Sequence, residues 1–124
     1  MNAANRKTTA LDFLRLAREG DRSAAERLLA PGGRHHNPYF AAGLPALLDG
    51  IEAAAKASAN RTFDVKHVVA EGDFVVVHSH VRQDPNAPGA AVVHLFRFDG
   101  DRIAELWDVG QPVPAENVNA DGMF

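Results

Sequence analysis

Asp108 directly follows the chain's single tryptophan, Trp107, inside an otherwise apolar stretch near the end of the sequence. Carboxylates are rarely buried without a partner. An acid in that setting is either a partnered structural group or the acid of a pocket. Three histidines fall on neighbouring apolar stretches: His78, His80 and His94. Each alone reads equally well as an inert core histidine. Several titratable groups converging on one apolar face need partners or a solvated cavity. A carboxylate and imidazoles around such a cavity are equipped to move protons, because an apolar wall disfavours the charged acid and neutral imidazole both donates and accepts. The same residues contain the elements of a two-histidine, one-carboxylate metal set. No His-x-x-x-His or Glu-x-x-His spacing supports it. The expectation is no metal and no cofactor.

These groups must be carried by strands. Side chains alternate between faces along a strand. Phe74, Val76, His78 and His80 therefore share one face of their strand, and Val92, His94, Phe96 and Phe98 share one face of the next. On the last strand Leu106, Asp108 and Gly110 share a face, with Glu105 and Trp107 opposite. Whether His94 meets Asp108 depends on the hairpin between them. A strict two-residue turn at Asp99-Gly100 separates them; a three-residue turn or a bulge brings them together. Both remain open at this level.

Ahead of the strands, residues 10–17 have a wide apolar face behind possible caps at Thr8 and Thr9, which predicts a first helix. Gly20-Asp21 breaks it, and Asp21 can cap a second helix running to Ala30, stopped by Pro31-Gly32-Gly33. Residues 34–40 read as a short extended piece, since Pro38 disfavours helix at Asn37. Residues 44–58 form a third helix with Pro45 in its first turn. From Arg61 the period changes to strand, and short turns imply antiparallel neighbours. The expectation is an α+β domain over residues 1–124: three N-terminal helices on one face of a four-stranded antiparallel meander. The two middle strands are almost continuously apolar, so both their faces should be covered. A second copy of the chain would cover the face the helices leave, which predicts a homodimer through the sheet.

Bulk properties narrow the function class. A chain of 124 residues builds one core without staples. Its net charge of −3 and scattered lysines and arginines leave no nucleic-acid footprint. The absence of cysteine excludes disulfides, thiol catalysis and cysteine-held zinc. No apolar run approaches membrane-spanning length, and residues 1–9 are polar, so a cytoplasmic location without membrane or nucleic-acid partners is expected.

Several of these pieces have a familiar look. His36-Asn37-Pro38, Val69-Ala70-Glu71-Gly72-Asp73, Val77-His78-Ser79-His80-Val81 and the run from Leu106 to Pro112, in this order of helices and strands, resemble the SnoaL-like polyketide cyclase branch of the nuclear transport factor 2-like superfamily. The resemblance covers almost the whole chain and extends to SnoaL-like aldol-condensation enzymes. It implies a cone-shaped half-barrel with a strongly curved sheet and a deep pocket, usually in a dimer. The superfamily also contains ketosteroid isomerase. By that comparison the isomerase's base falls at Asn37, its oxyanion tyrosine at Phe13 and its protonated oxyanion acid at His94; all three differ, so that mechanism is not expected. The comparison places His94 in a pocket with His78, His80 and Asp108, and so favours the shifted hairpin. Asp108 resembles the last-strand base of the cyclases.

The functional expectation is a small pocket enzyme of lyase or isomerase type that removes a proton beside a carbonyl. Asp108 would be the base, and His94 or His80 would hold it or donate to the enolate oxygen. His36, Asn37 and His78 would line the site, and Phe13, Phe74 and Phe96 would shape a cavity for a small apolar or aromatic carbonyl compound. The alternatives are a binding module without turnover and an Asp-His pair that activates water for hydrolysis or dehydration.

Overall fold

The computed structural model describes residues 2–124. Its first helix, α1 (Ala3–Glu19), starts ahead of the predicted caps: Asn2 accepts from the Asn5 N–H, while the Thr8 hydroxyl turns back to the Ala4 carbonyl and Thr9 is buried. Asp21 does cap the short α2 (Arg22–Glu26) by accepting from the Ala24 N–H. That helix ends before the predicted Ala30. Pro31-Gly32-Gly33, its expected stop, lies inside a strand, β1 (Leu29–His35). Then come α3 (Leu44–Ala57), with Pro45 in its first turn, and β2 (Thr62–Glu71), β3 (Phe74–Arg82), β4 (Ala90–Asp99) and β5 (Arg102–Pro112).

The strand order is β1-β5-β4-β3-β2, so the expected antiparallel meander carries a fifth strand, β1, parallel on the free edge of β5. This edge tolerates Pro31 because β1 bulges there: Leu29 pairs with Ile103 and Arg34 already with Glu105. Gly33 is required by close approach, since a Cβ would stand 2.7 Å from the Ala104 carbonyl oxygen and 2.5 Å from Leu44 Cδ1. The result is an α+β fold with helices packed on one face of a curved, open sheet. The core lies between Phe13 and Leu14 of α1, Leu47 and Leu48 of α3, and the inward side chains of the strands, among them Val75, Val77, Phe96 and Ile103.

Two features of the meander decide what meets what. The β4–β5 hairpin begins as a two-residue turn, with Asp99 opposite Arg102. Continued in that register, His94 would lie opposite Trp107. A bulge intervenes: Phe98 pairs with Ile103 but Arg97 with Glu105, leaving Ala104 over. His94 consequently lies directly opposite Asp108 on the inner face. On the other side of β4, Val77 pairs with His94 and Val75 with Phe96. The odd-numbered residues of β3 therefore face inward with His94, and Phe74, Val76, His78 and His80 face outward.

The outer face is only partly covered. Phe124 docks there, its ring 4.3 Å from that of His80 and 5.8 Å from that of His78. Phe74, Val69 and Val109 remain 41%, 59% and 64% exposed. No helix of the described residues is long and apolar enough to cross a membrane.

Candidate active site

The site begins with the end of β1. His35 is buried, and its two ring nitrogens tie down the loop that follows. Nδ1 accepts from the Asn37 N–H at 3.1 Å, which leaves Nε2 as the donor to the Ala41 carbonyl at 2.7 Å. Within that loop the Asn37 side-chain oxygen, Oδ1, accepts from the Tyr39 N–H at 2.9 Å. This fixes which way the Asn37 amide points. Its Nδ2 donates to Asp108 Oδ2 at 2.8 Å. The buried histidine thus holds the backbone of Asn37, and the Asn37 side chain holds the carboxylate.

Asp108, Asn37, His94 and Arg61 are the polar lining of a cavity of about 160 Å³ under α1 and α3. Its remaining walls are apolar, with Phe13, Phe63, Ile51 and Leu106 among them. One side is a ladder of flat groups. The Arg61 guanidinium lies 5.0 Å over the Phe63 ring. Phe63 stacks on His94 at 6.4 Å, His94 on Phe96 at 6.1 Å, and Phe96 meets the edge of Phe13 at 5.9 Å. His94 is held between two phenyl rings, and its Nδ1 is buried without a hydrogen-bond partner. Burial pushes its pKa down to about 4; the Asp108 carboxylate opposes that, and the Arg61 cation adds to it. At neutral pH the imidazole is uncharged. Burial also lowers the pKa of Arg61, which stays protonated at any working pH.

Of the residues expected to form the pocket, Asp108, His94, Asn37 and Phe13 line it, and Phe96 lies beneath His94. The other four belong to the opposite face of the sheet: Phe74, His78 and His80 because β3 pairs with β4 in the register described above, and His36 because it follows the inward His35 at the end of β1. His80 is bonded to the Pro88 carbonyl at 2.7 Å and stacked on Phe124. His78 Nδ1 lies 3.0 Å from His67 Nδ1. Phe74 packs beside Trp107 at 6.2 Å. His36 stacks on Trp107 at 5.0 Å and bonds the Glu105 carboxylate at 2.6 Å. That bond, with Arg97 and Arg34, holds Glu105 below the usual carboxylate range against the opposing effect of burial. His80 and His78 therefore cannot act on a substrate beside Asp108, and the expectation that they share its pocket is corrected. The two-histidine, one-carboxylate set is likewise divided between the faces, and no group of three metal-ligating side chains is assembled among the described residues.

Arg61, which lines the pocket, and His35, which holds Asn37 from behind it, have only faint signals in the sequence. Arg61 is a lone basic residue immediately before the strand period begins. His35 precedes the His36-Asn37-Pro38 motif and alternates with it, inward where His36 is outward. Phe40, partly exposed, also lines the cavity, and a Cβ on Gly50 would stand 2.4 Å from its ring. Gly50→Ala should therefore push the Phe40 ring outward while α3 gains the better helix former. The expected net stability change is within about 1 kcal/mol, with faster ligand dissociation from the pocket by relaxation NMR. A larger loss on thermal unfolding would mean that Phe40 is not free to yield.

The sequence from residue 10 to residue 106 matches the SnoaL-like domain family. Solved structures agree in fold. AclR from Streptomyces galilaeus, a suggested hydroxylase, superimposes with a TM-score of 0.74 at 22% identity, over 89% of this chain and 91% of that one. A SnoaL-like protein of unknown function from Burkholderia thailandensis gives 0.74 at 15% identity, over 90% and 98%. A suggested polyketide cyclase from Sinorhizobium meliloti gives 0.69 at 20% identity, over 82% and 94%. No curated protein matches the chain in sequence. With most of its length matched by the family, and the helix-on-sheet architecture shared with these structures, the chain belongs to the SnoaL-like domain family.

Proposed function

We propose that this pocket removes a proton from a carbon beside a carbonyl, as the first step of an aldol-type ring closure or a related isomerisation or elimination. The observation that carries the reading is the directly opposed pair of Asp108 and His94 at one apolar cavity, with Asn37 fixing the carboxylate. The Asn37 amide occupies Oδ2 and leaves Oδ1 of Asp108 as the base. Oδ1 takes the proton; the C–H electron pair forms the enolate double bond, and the carbonyl oxygen takes the charge. His94 is neutral here and has one N–H, so it serves as a hydrogen-bond donor to that oxygen rather than as a competing cation. The protonated Asp108 then returns its proton, to another carbon in an isomerisation or to the new alkoxide in a ring closure. Apolar walls exclude water from the enolate.

The test is deuterium uptake. Cyclic ketones and 1,3-dicarbonyl compounds are incubated with the protein in heavy water and followed by NMR. Enzyme-dependent deuterium beside the carbonyl is the expected result. Binding of the same compounds without any exchange would remove the enolisation reading and leave a binding module.

We also propose that the outer sheet face pairs with a second copy of the chain. The exposed Phe74, Val69 and Val109 around the half-buried Trp107 support it, since contiguous apolar surface of this kind marks an interface. Light scattering should give twice the chain mass at micromolar concentration, and Val69→Glu should halve it. A monomer in the wild type would end this proposal.

A further inference from the structure

We infer that the pocket takes a carboxylate-bearing ligand, with the Arg61 guanidinium as its anion subsite and Asp108 facing the other end. The inference deepens the enolisation reading and rests on it only for which end of the ligand reacts. Six arginines are half-buried among the described residues: Arg6, Arg18, Arg22, Arg61, Arg82 and Arg97. Five of them have ion-pair or hydrogen-bond acceptors. The guanidinium of Arg61 has none, and it stands on the wall of the cavity.

A partly desolvated guanidinium without an acceptor is costly unless something supplies one. Phe63 offers its ring face, which satisfies the plane of the cation but none of its N–H groups. Asp108 lines the same cavity, yet no ion pair joins the two. A ligand can therefore bridge them. Its carboxylate would take the N–H fork of Arg61, and its acidic carbon would lie toward Asp108. One cation, with a carboxylate nearby, suits a monoanion better than a phosphate dianion. The size of the cavity is a second constraint. Its volume of about 160 Å³ is close to the ~150 Å³ known to hold a benzene molecule. The buried part of the ligand is thus about one ring, as in a cyclic or short-chain β-keto acid.

The test measures binding rather than turnover, with benzoate and its neutral isostere benzamide as probes and inorganic phosphate as a control. Calorimetry or NMR titration of wild type should show benzoate binding about tenfold tighter than benzamide, as a charge-assisted pair adds, and no phosphate binding. Arg61→Gln should make the two aromatic probes equal, and Arg61→Lys should keep part of the preference. Asp108→Asn should tighten benzoate further, because a like charge is removed. If Arg61 only covers Phe63, Arg61→Gln lowers the melting temperature and leaves the benzoate-to-benzamide ratio unchanged. That ratio in the lysine variant decides the same question should the glutamine variant not fold. Equal affinities in wild type, no benzoate binding at millimolar concentration, or phosphate binding as tight as benzoate would each overturn the inference. An anion preference without deuterium exchange would leave Arg61 in place and remove enolisation; exchange into neutral ketones with no anion preference would do the reverse.

Discussion

Asp108→Asn is expected to lower deuterium uptake beside the carbonyl by about 10²–10⁴-fold, the usual worth of a positioned general base. The substitution keeps the size and shape of the side chain, and the position remains opposite His94 in the β4–β5 ladder. Its new amide oxygen can still accept from Asn37 Nδ2, as Oδ2 does in the wild type. The amide nitrogen then faces the cavity, so a donor stands where the base was. The fold should be retained, as circular dichroism would show. His94 offers little compensation, because its own Nδ1 is buried away from any partner and burial has already weakened its affinity for protons. Undiminished exchange in the variant would move the base to His94 and leave Asp108 as its structural partner. Undiminished exchange in an Asp108→Asn, His94→Phe double variant would place the chemistry outside this pocket altogether.

Much of the architecture was legible because local patterns sufficed for it. The change of hydrophobic period at Arg61, the proline in the first turn of α3 and the acid that caps α2 are each read from a few adjacent residues. β1 was not. Pro31-Gly32-Gly33 is ordinary helix-stop chemistry, and what makes it a strand is a distant partner, the edge of β5, together with a bulge that accepts proline. The pocket failed in the same way. Alternation tells which residues of one strand share a face, but the parity between strands is set by the connections. The link from Arg82 to Ala90 puts Val77 opposite His94. The same strands paired one residue out of this register, with His78 opposite His94, would have given the expected histidine cluster. Had Ala104 paired with Arg97 instead of bulging out, Asp108 would have lain opposite Val93 on the outer face and Trp107 would have taken its place opposite His94. The single-residue bulge that joins Asp108 to His94 has no sequence signature of its own. Only the resemblance to the superfamily favoured it.

The second large effect is on stability and comes from His94. Between pH 7.5 and pH 4 the wild type should lose about 3 kcal/mol of unfolding free energy relative to His94→Phe, measured by urea denaturation. The pKa of His94 falls from 6.5 in the ordinary state to about 4 in the folded protein. Each factor of ten in proton affinity is worth about 1.4 kcal/mol, which gives the expected loss. The sign follows from which state takes up the proton. In that window the unfolded chain binds it and the folded chain does not, so stability rises with pH and is complete above 6.5. Groups away from His94 contribute alike to both proteins and cancel in the difference. Phenylalanine suits the site because His94 already lies between the rings of Phe63 and Phe96; His94→Gln repeats the test without the added volume. Parallel pH curves for wild type and both variants would show that His94 takes up its proton as readily folded as unfolded. It would then be a cation facing Asp108 below pH 6.5. An ion pair across the cavity would quench the base in that range. In the proposed enolisation, neutrality of His94 is what would let one carboxylate stay free to accept a proton while the imidazole opposite it donates.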